Sequence, residues 1–312
     1  MRIGLNYGGV ASLEGQIKNL DEHVERIVQA ERDGFDSVWI AQIFGADALT
    51  VIALAGERTE RIEVATGVVP TYPRHPFVMA QQALTVQAAT GGRLTLAIGL
   101  SHQPVVEGMW GLSYEKPARH MREYLSVLRP LLRGEPVAFR GEVFRVAGGL
   151  QVPGATPPPV LVAALAPAML RIAGELADGT VTWMTGRKTI ETHIVPRISK
   201  AAEAAGRPQP RVCVALPVAV TDDATAARES ATQEFQLYGQ LPNYRRMLDI
   251  EGAAGPADVA IVGIEAEVER ELRALAGVGV TDFSPALYPA GADGAATMTR
   301  TRELLKGLVG QI

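Results

Sequence analysis

The chain has 312 residues, with 30 Lys plus Arg against 34 Asp plus Glu, a formal net charge of −4. Apolar residues make up 47%, ample for a large core, so intrinsic disorder is excluded. The mild acidity leaves no electrostatic footprint for nucleic acid or an anionic membrane, and a single cysteine excludes a disulfide framework or a cysteine-based metal cluster.

In chain order, the opening MRIGLNYGGV is too short and too glycine-broken for a signal peptide, and no run approaches 18 uninterrupted apolar residues. The expectation is a cytoplasmic protein. A first strand is expected at Ile3–Asn6. A helix follows, with Leu20, Val24, Ile27 and Val28 as its apolar stripe and Asp21, Glu22, Glu25 and Arg26 on the wet side. Strands at Ser37–Ala41 and Ile62–Val69 precede a helix over Pro76–Ala89, whose proline suits a first helical turn. Leu94–Gly99 is the fourth strand and Glu115–Leu132 the next helix. Pro136–Val152 reads as a β-hairpin around Gly141, followed by a stiff PGATPPP connector. Strands at Val160–Ala164, Thr180–Met184, Val212–Val220 and Asp282–Tyr288 complete a set of eight. Helices at Pro167–Ala177, Thr189–Ala205, Glu265–Ala276 and Thr297–Leu308 alternate with them, and Asp222–Gly263 is long enough for two or more.

Strands that are apolar almost throughout are buried on both faces, and strand alternating with helix means parallel βαβ units. Eight such units indicate an α/β fold, a (β/α)8 TIM barrel, rather than a doubly wound open sheet. The expected organisation is one barrel domain over 1–312, with the hairpin inserted after strand 4 and an extended helical segment between strands 7 and 8.

Several chemistries are missing. There is no G-x-x-x-x-G-K-[ST] phosphate loop, and no G-x-G-x-x-G follows the first strand. His23, His75, His102, His120 and His193 form no H-x-x-x-H pair, so no metal site is expected. Gly99-Leu100-Ser101-His102-Gln103 begins like a nucleophile elbow but lacks the second glycine.

Barrel enzymes work at the C-terminal ends of their strands. That rule selects Tyr7, Gln42, Phe44, Gly67, Val68, Tyr72, Leu100, Ser101, His102, Leu165 to Met169, Trp183 and Met184. The rim is mostly apolar, without a nucleophile–base or carboxylate pair, so a cofactor is expected to carry the reaction. The small residues of Ala164–Met169 allow close approach to backbone amides, and Pro167 starts a helix whose N-terminus faces an anion; an ordinary helix start is the plainer reading. Gly67 permits a bulge beside a ligand, or merely relieves the backbone. His102 is the titratable group at the strand ends suited to proton transfer, or else it hydrogen-bonds backbone with no proton role. His75 either acts in the site or caps the helix at Pro76, and Arg74 either reaches an acidic ligand or faces solvent. Tyr7, Phe44, Tyr72, Trp183 and Met184 shape a substrate pocket or pack the core.

Three passages carry a family likeness: GFDSVWIAQ, IEVATGVVPTYPRHPFVMAQQALTVQAATGGRLTLAIGLSH, and PVLVAALAPAMLRIAGELADGTVTWMT. The chain resembles the bacterial luciferase-like monooxygenase superfamily, and within it the coenzyme F420-dependent oxidoreductases. The resemblance implies a homodimeric TIM barrel with a deazaflavin ring across its mouth. It implies a non-prolyl cis peptide at Gly67–Val68 that backs the ring. It implies a phosphate held by the turn Leu165-Ala166-Pro167-Ala168-Met169, with Leu100, Ser101 and His102 bordering ring and substrate. The sugar-phosphate dehydrogenases of this family carry an acidic residue and a histidine after strand two and a glutamate after strand four. This chain has Gln42, Ile43 and His102 there, so that activity is not expected, and Gln42 would meet the ring's polar edge instead. Methylenetetrahydromethanopterin reductases are similar at the superfamily level. The expected function is hydride transfer between deazaflavin C5 and a small or medium organic substrate, with His102 as the proton-handling group. An FMN-dependent monooxygenase and a non-catalytic flavin- or F420-binding protein are the alternatives.

Overall fold

The computed structural model describes residues 1–8, 17 and 19–312. The chain runs through β1 (Arg2–Tyr7), β2 (Ser37–Ile40), β3 (Glu63–Thr66), β4 (Val69–Pro70) and β5 (Leu94–Gly99). It continues through β6 (Val137–Arg140), β7 (Arg145–Gly148), β8 (Val160–Ala163), β9 (Gly179–Trp183) and β10 (Arg211–Ala215). The last strands are β11 (Pro217–Val220), β12 (Ile261–Gly263), β13 (Asp282–Phe283) and β14 (Ala286–Leu287). Strands β3, β2, β1, β13, β10, β9, β8 and β5 pair in that order, and β3 also pairs with β5, which closes a parallel eight-stranded barrel. In register, Leu5 faces Val38 and Val64 faces Leu94. β6 and β7 form the antiparallel hairpin expected after the fourth barrel strand.

Three of the eight expected strands are each broken in two. The third splits into β3 and β4 around Gly67–Val68, and the seventh and eighth pass from the barrel into β11 and β14. Those two join β12, the strand expected as part of a helical segment, in a small parallel sheet.

The helices form where caps and stripes meet. α1 (Leu20–Arg32) starts at Asn19, whose side chain accepts from the Glu22 amide, and buries Val24, Ile27 and Val28. α2 (Ala48–Gly56) starts at Asp47, which accepts from the Thr50 amide. α3 (Pro76–Ala89) starts at His75, whose Nδ1 accepts from the Phe77 amide. α4 (Gln103–Gly108) and α5 (Pro117–Leu132) follow β5, and α6 (Pro167–Leu176) follows β8. A π-helical turn, Ile190–Ile194, precedes α7 (Val195–Ala204). The segment after β11 carries α8 (Ala224–Gln240) and α9 (Pro242–Glu251). α10 (Glu265–Gly277) and α11 (Gly294–Leu308) complete the shell.

Two cores result. The larger fills the space between barrel and helices and contains Ile3, Leu5, Ile27, Ile52, Leu128, Val162 and Leu272. The smaller plugs the barrel itself with Trp39, Ala65, Ala97, Leu161, Val181 and Cys213. Cys213 is fully buried there, and burial pushes its thiol well above its ordinary pKa, so it is inert. At the strands' N-terminal end a charge network closes the barrel: Glu63 meets Arg2 at 2.7 Å and Arg211 at 3.0 Å, and Arg211 meets Asp282 at 2.5 Å.

Candidate active site at the barrel mouth

The C-terminal strand ends converge on one mouth. Its floor is apolar. The peptide Gly67–Val68 is cis, and Val68 packs with Ala163 against the barrel plug of Trp39, Ala97 and Val181. Space for Val68 comes from Gly99: a Cβ there would lie 2.7 Å from Val68 Cγ2 and 3.2 Å from Ala163 Cβ. A Cβ at Gly67 would meet nothing nearer than Trp39 Cβ at 3.5 Å, an ordinary contact. The glycine that sterics demands is therefore Gly99, a strand-end residue that stood in the sequence without a role.

One side of the mouth is an arc of rings. Tyr72 stacks on Tyr114 with centroids 5.4 Å apart, and the Tyr114 hydroxyl donates to the Ser101 carbonyl at 3.4 Å. His102 meets Tyr244 edge-on at 5.7 Å, Tyr244 meets Tyr238 at 5.4 Å, and Tyr238 meets Trp183 at 5.6 Å. Tyr238 and Tyr244 sit either side of the Leu241–Pro242 helix break between α8 and α9, so this distant segment supplies the wall. Sequence reasoning missed them; two tyrosines flanking a proline break were the available signal. Burial raises the pKa of the Tyr114 and Tyr244 hydroxyls, which keeps both neutral. Burial also lowers that of His102, so its imidazole is neutral near pH 7.

Behind Tyr72 the ring of His120 stacks at 4.0 Å, and its Nε2 lies 3.0 Å from Thr71 Oγ1. Burial, opposed by the charge of Glu123, brings His120 down to about 4, while burial beside Tyr114 and Glu107 pushes Tyr72 up to about 12. A cleft of about 420 Å³ opens on this side between Tyr72, His120, Leu112, Val143 and Phe144. It shares Tyr72 with the mouth and touches neither His102 nor Trp183.

Backbone and polar groups at the mouth are unusual. Ser101 and Met184 adopt left-handed backbone, with φ of 61° and 52°, a conformation non-glycine residues hold only when their surroundings enforce it. Among the described residues six buried side-chain polar atoms lack a hydrogen-bond partner, and three of them, Asn6 Oδ1, Tyr72 OH and Trp183 Nε1, lie at the strand ends of the mouth. A buried polar atom without a partner is rare enough to need a cause.

The remaining expected residues fall as follows. Gln42 Oε1 accepts from the Ala48 amide at 2.8 Å and so supports the start of α2. Phe44 is 65% exposed on the loop after β2. The Tyr7 hydroxyl turns outward, donating to the Arg26 carbonyl at 3.2 Å and accepting from Arg302. Met184 is fully buried in the larger core. Leu100 is partly buried against that core. Arg74 pairs with Asp47, and His75 caps α3. In the turn after β8, Ala166 is the N-cap of α6 without a side-chain cap bond, and Pro167 opens the helix. The first-turn amides of Ala168 and Met169 are of the kind a helix leaves without internal acceptors. No group of three or more potential metal ligands occurs among the described residues, and no helix of the described residues is long and apolar enough to cross a membrane.

Against known proteins, the profile of the luciferase-like monooxygenase family matches residues 2–284. The 5,10-methylenetetrahydromethanopterin reductase of Methanolobus tindarius is 29% identical over 254 residues, 81% of this chain and 77% of its own. The structure of coenzyme F420-dependent tetrahydromethanopterin reductase from Methanopyrus kandleri superposes with a TM-score of 0.75 and 20% identity, covering 100% of this chain and 98% of that one. The oxygenating constituent of 3,6-diketocamphane monooxygenase from Pseudomonas putida, solved with FMN, gives 0.76 and 20% over the same shares. These last two likenesses are of fold.

Proposed function

The chain belongs to the luciferase-like monooxygenase family, and from that membership we propose that it is an F420-dependent oxidoreductase acting on a small or medium, mostly apolar organic substrate. The observation that carries this reading is the mouth itself: an apolar floor at Val68, an aromatic wall through His102 and, among the described residues, no acid–base or nucleophile pair able to do chemistry alone. When bound, the deazaflavin supplies or accepts a hydride at C5. Val68 would back one face of its planar ring, which would leave the other face to the substrate. The amides of the Leu165–Met169 turn hold the cofactor phosphate at the start of α6. Tyr244, Tyr238 and Trp183 exclude water and hold the substrate in near contact with the ring. His102, neutral near pH 7, handles the proton that accompanies hydride transfer.

The test is titration with F420, FMN and NADPH, followed by quenching of tryptophan fluorescence. F420 should bind tightly; tight FMN binding with no F420 binding would overturn the proposal. That outcome belongs to the second reading, an FMN-dependent monooxygenase, which the FMN-bound fold neighbour favours. Replacing His102 with Gln should lower turnover about 10²-fold or more. Since burial depresses the imidazole's pKa, wild-type activity resting on the neutral ring should persist somewhat below the ordinary histidine value of 6.5. An unchanged pH profile in the variant removes the proton role.

A further inference from the structure

The turn after β8 is gripped from outside the barrel. His193 lies on the π-helical turn Ile190–Ile194, an irregularity that recurs at functional sites. Its ring is buried, and Nε2 sits 2.8 Å from the Leu165 carbonyl oxygen. A carbonyl only accepts, so Nε2 carries the proton and the tautomer is fixed. Arg197 donates to the carbonyl of His193 at 3.0 Å, which ties this residue's own backbone to α7. Burial, opposed by the hydrogen bond to Leu165 and aided by the charges of Arg197 and Arg246, lowers the pKa of the imidazole below its ordinary value.

The consequence follows from peptide geometry. In a trans peptide the carbonyl and the next amide share one plane and point in opposite directions. Anchoring the Leu165 carbonyl therefore sets the direction of the Ala166 amide, and with it the start of α6. No side chain of the turn does this, since Ala166 has no capping group and Pro167 no N–H.

We propose that His193 is the positioning residue of the cofactor-phosphate turn: it aims the amides of Ala166, Ala168 and Met169 by holding the Leu165 carbonyl. This rests on the reading of that turn as the phosphate site. It is a role at one remove, because what His193 Nε2 touches is the Leu165 carbonyl of the turn.

The near-isosteric pair His193→Gln and His193→Met separates donor from volume. Each full-length variant and the wild type are titrated with FMN and riboflavin, and with F420 and its phosphate-free chromophore. The wild type should bind each phosphorylated form at least tenfold more tightly than its phosphate-free partner. His193→Gln, which keeps a donor, should retain most of that ratio. His193→Met should bring it toward one while leaving the phosphate-free affinities as they were. A merely structural role would weaken both forms alike, so an unchanged ratio in His193→Met, or equal losses in both forms, overturns the proposal. A wild type that does not discriminate at all identifies the phosphate reading of the turn as the failure. Should His193→Met not fold, His193→Ala read by the same ratio decides between the same outcomes.

Discussion

The two ends of the barrel treat polar groups in opposite ways. At the N-terminal end the charged groups of the network pair with one another, although Arg207 Nε lacks a hydrogen-bond partner. Arg211 is shared between Glu63 and Asp282, and Arg93 donates to Thr59 Oγ1 and to the carbonyls of Gly56, Thr59 and Ile62. Asp178 takes Arg129, Arg207 and the Val160 amide. At the C-terminal end, Asn6, Tyr72 and Trp183 bury atoms without partners, and Ser101 and Met184 hold left-handed backbone. One end is closed by ion pairs among its own residues; the other keeps buried atoms unpaired and backbone in the left-handed region. That division between a stabilising base and a working mouth is the logic of this architecture.

The largest expected effect lies at the base. Asp282→Ala leaves Arg211 without the buried one of its two carboxylate partners and should lower unfolding free energy by about 3–5 kcal/mol in denaturant melts. Cofactor affinity of the folded protein should not change; a matching loss of affinity would mean the two ends are not independent. At the mouth, Gly99→Ala drives a methyl into Val68 and Ala163. It should cost about 1–3 kcal/mol of stability and at least tenfold in cofactor affinity, because the floor itself must shift. Gly67→Ala, with only an ordinary contact to Trp39, should weaken binding less on steric grounds, and the reverse order would break the account of the floor.

A subtler test is pH dependence at His120, which stands behind the mouth. Its folded-state pKa of about 4 lies below the ordinary 6.5, so between those values the unfolded chain binds more protons. Stability contributed by the neutral ring is full above pH 6.5 and is lost as pH falls toward 4. The stability of wild type relative to His120→Phe should therefore decline across that window in paired thermal melts; a pH-independent difference would contradict it. The smallest effect is expected at the exposed rim, where Phe44→Ala should alter stability by less than about 0.5 kcal/mol. Any change there should be confined to KM for substrate.

The barrel was legible because its strands are buried on both faces and so read as unbroken apolar runs. The helix Ala48–Gly56 was not, since ALTVIALAG is apolar on nearly every side and shows no stripe. β12 is only Ile-Val-Gly, too short to stand out within a helical stretch. For the site, the strand-end rule selects positions along the chain but not the direction of a side chain. It names Tyr7 and Trp183 alike, although the Tyr7 hydroxyl turns to the helices and Trp183 to the arc of rings. Nor can it find Tyr244 or His193, whose parts depend on contacts made across the fold with His102 and Leu165.

The small sheet beside the barrel has a consequence for how the mouth is built. The chain leaves β11 at Thr221 and returns at Gly263, and the Thr221 amide donates to the Gly263 carbonyl at 2.9 Å. The excursion carrying α8 and α9 thus departs and re-enters at a single stitched point. Between those ends it is seated on the barrel, with Phe235 and Tyr238 packed on Trp183 and Glu251 accepting from the Lys188 and Thr189 amides. Because this excursion brings Tyr238 and Tyr244, the wall of the mouth is built from a segment separate in sequence from Val68 and Gly99 of the floor.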